Sequence, residues 1–230
     1  MIITIDGPSA SGKSSAAREL AKHLGFCHLN SGLLYRGLAY LLITKRRFPS
    51  DALAHVDAGD ADTYLDPARF KYHCTVGGNG GITFDGQDIT PFLKEEAISQ
   101  GASRVSTNGY VRERLLEIQR AIGEYSDCVV DGRDTGSMVF PHAEIKFYLT
   151  ASLDARAMRW QQDEQKHGHI LSIIEAREQL AERDASDQKR VYAPLVIPQG
   201  AVVIDNSDFT PEQTVSKMLA VIQEKIPTIK

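Results

Sequence analysis

Residues 2–25 read IITIDGPSASGKSSAARELAKHLG. The opening IITID is mostly β-branched and apolar, which is typical of a strand buried on both faces. The segment from Ser14 onward is rich in helix formers with apolar residues at helical spacing, and Gly25 provides a stop. The stretch therefore predicts a strand, a glycine-bearing loop and a helix in direct succession.

The loop between that strand and that helix fits the pattern G-x-x-x-x-G-K-[ST] at every fixed position. Backbone N–H groups in such a loop surround the β-phosphate of a nucleotide, and the helix N-terminus adds positive potential. We expect Lys13 to reach the β- and γ-phosphate oxygens and the Ser14 hydroxyl to ligate Mg²⁺. The predicted ATP-binding residues are Gly7, Pro8, Ser9, Ala10, Ser11, Gly12, Lys13, Ser14 and Ser15.

The remaining chain alternates strand-like and helix-like segments. This alternation predicts the α/β class, with a parallel sheet flanked by helices. We expect Ser31 to cap the helix that follows the second strand. The further predicted strands are 26–30, 128–130, 145–149 and 201–205, and the further predicted helices are about 92–126, 153–166, 172–189 and 211–225.

Residues 62–90 break this alternation. FKYHCTV alternates in polarity, and both GGNGG (77–81) and the Asp-Gly pair at 85–86 are hairpin signals. We therefore predict a small antiparallel β insert between helices. A second irregular segment, 165–172, is polar and centred on Gly168, and we expect it to be mobile.

Length and composition limit the possible functions. The 230 residues are enough for one α/β domain with insertions, and the net charge of −4 argues against a dedicated nucleic-acid binder. MIITID lacks the basic segment of a signal peptide, and the apolar run at 38–43 is too short to span a membrane. We expect a cytoplasmic protein with no membrane partner. Cys27, Cys74 and Cys128 form no C-x-x-C pair, so we expect buried thiols rather than a disulfide.

Charged side chains follow several of the predicted strands. In an open parallel sheet, the carboxyl ends of the strands line the ligand crevice. Asp131 ends the apolar strand of CVVDGRD, and we expect it to face Mg²⁺ directly or through water. Arg36 and Arg133 follow the second and third strands, and we expect both at the same crevice.

Residues 182–190, ERDASDQKR, place Arg183, Asp187 and Arg190 on one stripe of a helix. Spacing alone is more typical of an exposed salt-bridge ladder. Several guanidinium groups with few lysines favour bidentate recognition of a phosphate instead. The guanine-reading motif N-K-x-D of regulatory GTPases is absent from the sequence.

The chain resembles bacterial cytidylate kinases, within the nucleoside-monophosphate kinase group, almost from end to end. The most specific segments are IDGPSASGKSS, SGLLYRGLAYL, VVDGRDTGSMVFPHAEIKFYLTAS, ERDASDQKRVYAPL and VVIDNS. The resemblance implies a single P-loop kinase domain over 1–230 with three functional regions. These are a monophosphate-binding lobe at 31–125, its β insert at about 62–90, and a lid with its following helix at 155–190.

The resemblance also implies roles for individual residues. The acceptor phosphate is expected at Ser31, Arg36, Arg133 and Arg190. The cytosine edge is expected at Ser103, Arg112 and Asp134, and the sugar at Arg183 and Asp187, with Asp187 alternatively at the base. Lid arginines Arg156 and Arg159 are expected to close over the transferring group, so the catalytic set is Lys13, Arg133, Arg156, Arg159 and Arg190. The metal is expected at Ser14 and Asp131, and the adenine edge at Asn206 to Phe209.

The implied activity is transfer of the γ-phosphoryl group of ATP to CMP or dCMP with Mg²⁺ as cofactor. The oligomeric state is left open by the sequence, and we take a monomer as the default expectation. A kinase for UMP or shikimate, or a nucleotide-binding switch, remains an alternative. The chain departs from the family at Asn30, Ser137 and Ser186, where Asp, Thr and Arg are usual. We read His167 and His169 as lid surface rather than metal ligands.

Overall fold

The apolar segments predicted as strands pair in parallel at the centre of the protein. The computed structural model describes residues 1–74, 76–77, 80–166 and 168–227. The main sheet has the order β2 (Cys27–Asn30), β6 (Cys128–Gly132), β1 (Ile2–Asp6), β7 (Ile145–Thr150) and β8 (Val202–Asp205). Every pairing between these strands is parallel, which confirms the predicted α/β class.

Helices cover both faces of this sheet. The α-helices are α1 (Lys13–Leu24), α2 (Ser31–Thr44), α3 (Ala58–Tyr64), α4 (Glu96–Val105), α5 (Gly109–Tyr125), α6 (Leu153–Lys166), α7 (Ile173–Lys189) and α8 (Pro211–Lys225). Short 3₁₀ segments lie at Ser50–His55 and Thr90–Lys94, and a π-helical turn lies at Thr135–Val139.

Side chains that alternate along the strands divide the interior into two layers. Ile3 and Ile5 pack with α1 and α8, whereas Cys128 and Val130 pack with α2 and α5 on the opposite face. Because successive residues of a strand point to opposite faces, apolar residues are needed at consecutive positions. This two-sided burial explains why the strands read as continuous apolar runs rather than as alternating ones.

Two helix starts differ from the sequence prediction. Asn30, not Ser31, caps α2, because its side chain accepts a hydrogen bond from the Leu33 backbone N–H at 3.0 Å. Asn108 accepts a hydrogen bond from the Val111 N–H at 3.2 Å and begins a new helix within the predicted 92–126 stretch. Both asparagines satisfy backbone donors that a helix start leaves without intrahelical partners.

The predicted insert forms an antiparallel sheet of β3 (Phe70–His73), β4 (Gly81–Phe84) and β5 (Gln87–Asp88). It begins later than the predicted 62–90 segment, because residues up to Tyr64 belong to α3. Positive φ angles at positions 85 and 86 confirm the Asp-Gly turn. Gly78 and Asn79 of the other predicted turn lie outside the described residues, as does His167. No helix among the described ranges combines the length and the apolarity that crossing a membrane requires.

The insert is covalently attached to the main sheet, contrary to the prediction of free thiols. Cys27 on β2 and Cys74 after β3 form a disulfide, with their Cα atoms 5.8 Å apart, and Cys128 remains a buried free thiol. The Tyr72 hydroxyl also donates to the His28 carbonyl at 2.8 Å and accepts from the Asn30 N–H at 3.0 Å. The pairing was not predictable from spacing, because it depends on the insert docking against the edge strand.

We expect thiol titration of the denatured protein, prepared without reductant, to detect one cysteine, and three after reduction. Cys74→Ser should lower the unfolding free energy of the oxidised protein by about 4 kcal/mol, since the bond closes a loop of 47 residues. Chemical denaturation measures this difference. The same substitution in fully reduced protein is the control, and three reactive thiols without reductant would contradict the assignment.

Candidate active site

The loop predicted to bind phosphate joins β1 to α1 in a conformation that requires glycine. A Cβ atom on Gly7 would lie 2.0 Å from the Leu149 carbonyl oxygen, so any side chain would clash with β7. Gly12 adopts a left-handed φ of 87° at the start of α1. The first turn of α1 thus faces the cavity at the carboxyl end of the sheet.

Lys13 lies against this loop. Its ammonium group donates to the Pro8 carbonyl at 2.5 Å and to Ser11 Oγ at 3.3 Å, and the side chain is buried. Burial lowers the pKa of Lys13 well below its ordinary value, and the charge of Arg133 lowers it further. A bound anion would offset both effects, so the position suits a negatively charged ligand.

A cavity of about 700 Å³ extends from this loop to the predicted acceptor residues. Its lining combines the phosphate-binding loop between β1 and α1, called the donor loop below, with residues from the ends of β2 and β6 and from α2, α4, α5 and α7. The predicted site residues on its wall are Ser9, Ala10, Gly12, Lys13, Ser14, Ser15, Ser31, Arg36, Ser103, Arg112, Asp131, Arg133, Asp134, Arg159, Arg183, Asp187 and Arg190, with Asn206 and Phe209 of the predicted adenine edge. Residues separated by up to 200 positions in sequence are therefore brought together at the carboxyl ends of the parallel strands.

Four arginines, here called the arginine cluster, line the cavity together with Asp187: Arg36, Arg133, Arg183 and Arg190. Arg133 Nε donates to Asp187 Oδ2 at 2.7 Å, and Arg190 forms a short ion pair with the other carboxylate oxygen. Within the described chain, Arg36 and Arg183 make no hydrogen bond or ion pair with protein groups. Burial lowers the pKa of both, to about 10 for Arg183, where the Arg133 charge adds to the effect. This excess of buried positive charge is suited to a phosphate group.

Arg112 and Asp134 form a buried ion pair beside the arginine cluster. Arg112 also donates to the Ser106 carbonyl at 3.1 Å and lies 5.6 Å from the centre of the Tyr35 ring. Its Nε atom is buried without a hydrogen-bond partner among the described residues. Ser103 lies on the same wall. The pocket thus presents one carboxylate and one donor-rich guanidinium to a ligand.

Ser14 and Asp131 also line the cavity. Ser14 Oγ donates to Asp131 Oδ2 at 2.5 Å, while His28 Nε2 lies 2.7 Å from Asp131 Oδ1. Burial alone would raise the pKa of Asp131, but the bonds from His28 and Ser14 and the charge of Lys13 hold it below its usual value. The carboxylate therefore stays ionised. Ser31, which also lines the cavity, donates from Oγ to the Asp131 backbone carbonyl at 2.9 Å.

The two arginines predicted to close over the ligand have different surroundings. Arg156 is buried and donates to the Ala151 carbonyl at 3.0 Å, the Ser9 carbonyl at 3.1 Å and Asp184 at 2.6 Å. It is not among the described residues that line the cavity. Arg159 lines the cavity and donates to Asn206 Oδ1 at 3.0 Å and to the Asn206 carbonyl at 2.6 Å. Arg156 and Arg159, which were predicted to share one role, thus have different surroundings in the structure.

Asp6 is a buried carboxylate beside the site whose role was not predicted from the sequence. Its carboxylate accepts hydrogen bonds from Thr135 N at 2.8 Å, Thr135 Oγ1 at 2.7 Å and Gly136 N at 2.7 Å. These bonds fix the turn that carries Arg133 and Asp134. Burial raises the pKa of Asp6 to about 6, although the three hydrogen bonds oppose the shift. The available signal was a carboxylate at the end of an otherwise apolar strand.

The raised pKa of Asp6 predicts a pH-dependent stability. Folded protein binds the Asp6 proton more tightly than unfolded protein, so Asp6 contributes less stability as the pH rises from about 4 to about 7. The difference in unfolding free energy between wild type and Asp6→Asn should therefore change by about 3 kcal/mol across this range. Urea unfolding at several pH values measures it. Asp208→Asn, at an exposed carboxylate, should show the same dependence of unfolding free energy on pH as wild type. The prediction would be contradicted if the unfolding free energies of Asp6→Asn and wild type changed in parallel with pH.

Comparison with known proteins identifies the family of this chain and confirms the resemblance. The family model described as "Cytidylate kinase" matches residues 3–224. A cytidylate kinase of Chlamydia felis (strain Fe/C-56) is 38% identical over 227 residues, covering 99% of this chain and 100% of that protein. One from Thermotoga sp. (strain RQ2) is 37% identical over 226 residues, covering 98% of each.

Similarity to a solved structure supports the fold alone. The crystal structure of an uncharacterized protein from Eubacterium ventriosum ATCC 27560 has a TM-score of 0.51 at 11% identity, covering 97% of this chain and 98% of that one. The family, in contrast, is shown by the sequence comparisons, which extend over nearly the full length. The family model and the two relatives together show that this chain belongs to the cytidylate kinase family.

Proposed function

We propose that this protein transfers the γ-phosphoryl group of ATP to CMP or dCMP, giving ADP and CDP or dCDP. The observation that carries the proposal is one cavity whose lining includes both Lys13 of the phosphate-binding loop and the arginine cluster. Two anionic ligands in one cavity bring their phosphates into line for direct transfer. The proposed substrates are small molecules, and no nucleic acid is involved.

On the donor side, we assign residues Gly7 to Ser15 to the triphosphate of ATP. The loop amides and Lys13 bind phosphate oxygens. Ser14 and Asp131 fit Mg²⁺, because they are oxygen donors whose side-chain atoms already lie 2.5 Å apart. No group of three or more His, Cys, Asp or Glu side chains in the described ranges could hold a metal ion, so phosphates and water must complete the coordination. When bound, Mg²⁺ neutralises charge on the transferring phosphoryl group.

On the acceptor side, the phosphate of CMP is bound by Ser31, Arg36, Arg133 and Arg190, and its sugar contacts Arg183 and Asp187. Among the described residues, Arg36 and Arg183 have no hydrogen-bond or ion-pair partner, and Arg133 and Arg190 are oriented by Asp187. We assign the monophosphate-binding lobe to residues 31–125, and the lid with its following helix to residues 155–190, as the family resemblance implies. Arg159, within the proposed lid, lines the cavity and is assigned to the transferring phosphoryl group. Arg156 acts on the donor loop through the Ser9 carbonyl, at a distance from the reacting atoms.

The base is read by the pocket of Arg112, Asp134 and Ser103. Cytosine carries an amino donor at C4, whereas uracil carries a carbonyl acceptor there. The Asp134 carboxylate accepts a hydrogen bond from the amino group and repels the carbonyl. A buried polar group left without a partner costs about 1–3 kcal/mol, and more when it is charged.

The reaction needs no covalent intermediate. The acceptor phosphate is already an anionic nucleophile near neutral pH, so a strong general base is not required. The cationic side chains of the cavity hold two negatively charged groups in contact and neutralise charge in the transition state. Excluding water from the closed cavity prevents hydrolysis of ATP.

An acceptor panel tests this function. With ATP and Mg²⁺, we expect ADP release to be stimulated by CMP and dCMP, with about a hundredfold lower kcat/KM for UMP and none for shikimate. A coupled assay for ADP measures the rates. ATP binding with no stimulation by any acceptor would favour a nucleotide-binding switch and overturn the proposal.

Lys13→Ala is the matched loss-of-function variant for the panel. Removing the only lysine on the loop should reduce kcat by at least about a hundredfold with CMP. The exposed Lys22→Ala on the same helix should keep the wild-type rate. Normal turnover in a folded Lys13→Ala protein would refute the role of Lys13.

Asp134→Asn should reduce the preference for CMP over UMP. An amide can present either its oxygen or its amino group to the base, so the charge that repels uracil is lost. We expect the ratio of kcat/KM values for the two acceptors to fall by about tenfold or more. Lys13→Ala lowers the rate with both acceptors and leaves the ratio unchanged, which separates base recognition from catalysis. An unchanged ratio in Asp134→Asn would assign base recognition to Ser103, Arg112 or Asp187.

A further inference from the structure

His28 occupies an unexpected place for a polar residue. It lies on the edge strand β2, between Cys27 and Leu29, which both pack in the apolar core. Because side chains alternate along a strand, His28 points to the opposite face, where its imidazole is only 6% exposed. Its Nε2 atom lies 2.7 Å from Asp131 Oδ1. No sequence motif of the phosphate-binding loop or of the acceptor site includes this residue.

We infer that His28 is a positioning residue for the magnesium site, because it fixes the orientation of the Asp131 carboxylate toward Ser14. This inference rests on the proposed use of ATP and Mg²⁺ by the same site. His28 contacts neither nucleotide nor metal in this assignment. It acts through Asp131, one oxygen of which it binds.

The two hydrogen bonds to Asp131 define the plane of its carboxylate. Oδ1 accepts from His28, and Oδ2 accepts from Ser14 Oγ at 2.5 Å. The torsion that turns a carboxylate has a broad energy minimum, so one hydrogen bond alone leaves rotation possible. With both oxygens bound, each still has a lone pair for a metal-bound water. Asp131 is thus held ready to receive the hydrated cation.

The backbone around His28 is also fixed. Tyr72 of the insert binds the His28 carbonyl and the Asn30 N–H, which are otherwise the open edge of the sheet. Asn30 in turn donates from Nδ2 to Ser14 Oγ at 3.2 Å. Ser14 therefore donates to Asp131 and accepts from Asn30, and its remaining lone pair is available to a metal. His28, Asn30 and Asp131 form one connected support for this hydroxyl.

His28 is the donor of the hydrogen bond between His28 and Asp131. An ionised carboxylate only accepts hydrogen bonds, so Nε2 of His28 must carry the proton. A glutamine side chain presents an N–H donor at nearly the same distance from the backbone as histidine Nε2. An asparagine is one methylene shorter and does not reach Asp131. His28→Gln and His28→Asn therefore differ in the hydrogen bond while both remain polar.

Calorimetric titration with ATP, in saturating Mg²⁺ and in EDTA, tests the inference. The ratio of the two dissociation constants measures how much the metal strengthens nucleotide binding. Residues that orient metal ligands typically contribute about 10- to 100-fold to metal affinity. We expect His28→Asn to reduce this ratio by about tenfold while the affinity for metal-free ATP stays within about twofold. His28→Gln should retain the wild-type ratio within about twofold.

The controls separate this role from general damage to the fold. His23→Asn, at an exposed histidine on α1, should leave both dissociation constants unchanged. A merely structural role for His28 would weaken metal-free and metal-bound ATP equally, and that result would overturn the inference. An equally reduced ratio of dissociation constants in His28→Gln and His28→Asn would also overturn the inference, because the hydrogen-bond donor would then be irrelevant.

Failure of the proposed function gives a different result. One outcome is that the acceptor panel shows no transfer to CMP while His28→Asn still reduces the ratio of the two ATP dissociation constants. In that case the kinase assignment fails and the role of His28 stands. If CMP transfer is normal and the ratio in His28→Asn equals that of wild type, the kinase assignment stands and the role of His28 fails.

Discussion

Positive charge buried at the carboxyl edge of the main sheet is the constraint on which this site depends. A buried charge is costly unless an opposite charge faces it. Burial lowers the pKa values of Lys13, Arg36 and Arg183, which shows that their protonated forms are poorly compensated. Asp131 and Asp187 offset part of this charge. The proposed phosphate ligands supply the rest, so the electrostatics of the cavity and the chemistry of these ligands are complementary.

The end of β6 connects the two halves of the cavity. Within four residues it presents Asp131 to the proposed metal, Arg133 to the proposed acceptor phosphate and Asp134 to the proposed base pocket. Asp6, on the neighbouring strand β1, accepts hydrogen bonds from the backbone of Thr135 and Gly136, directly after this segment. These bonds fix the position of the backbone that carries the three side chains. Because one short segment serves both substrates, a shift of its backbone would disturb donor and acceptor together.

The sequence predicted best what is encoded locally. The succession of β1, the loop and α1 follows from β-branched residues, a fixed glycine pattern and helix formers in one continuous segment. The meeting of Arg36 and Arg133 followed from the rule that strand ends share an edge, whereas Arg190, at the end of α7, was expected there from the family resemblance. The disulfide, the cap at Asn30 and the bonds of Asp6 were not predicted, since each depends on which distant segments pack together. Arg156 resembled a lid arginine in sequence, and only its burial against Ser9 distinguishes it from Arg159.

The surroundings of the donor loop explain why residues outside the motif matter to it. Arg156 binds the Ser9 carbonyl, and Asn206 Nδ2 binds the Ser11 carbonyl at 3.1 Å. In a planar trans peptide, the carbonyl and the following N–H point in opposite directions. Binding these two carbonyls therefore turns the amides of Ala10 and Gly12 toward the other side of the loop. A chain of contacts from α6 and the end of β8 thus sets the direction of the amides, which the glycine pattern permits but does not impose.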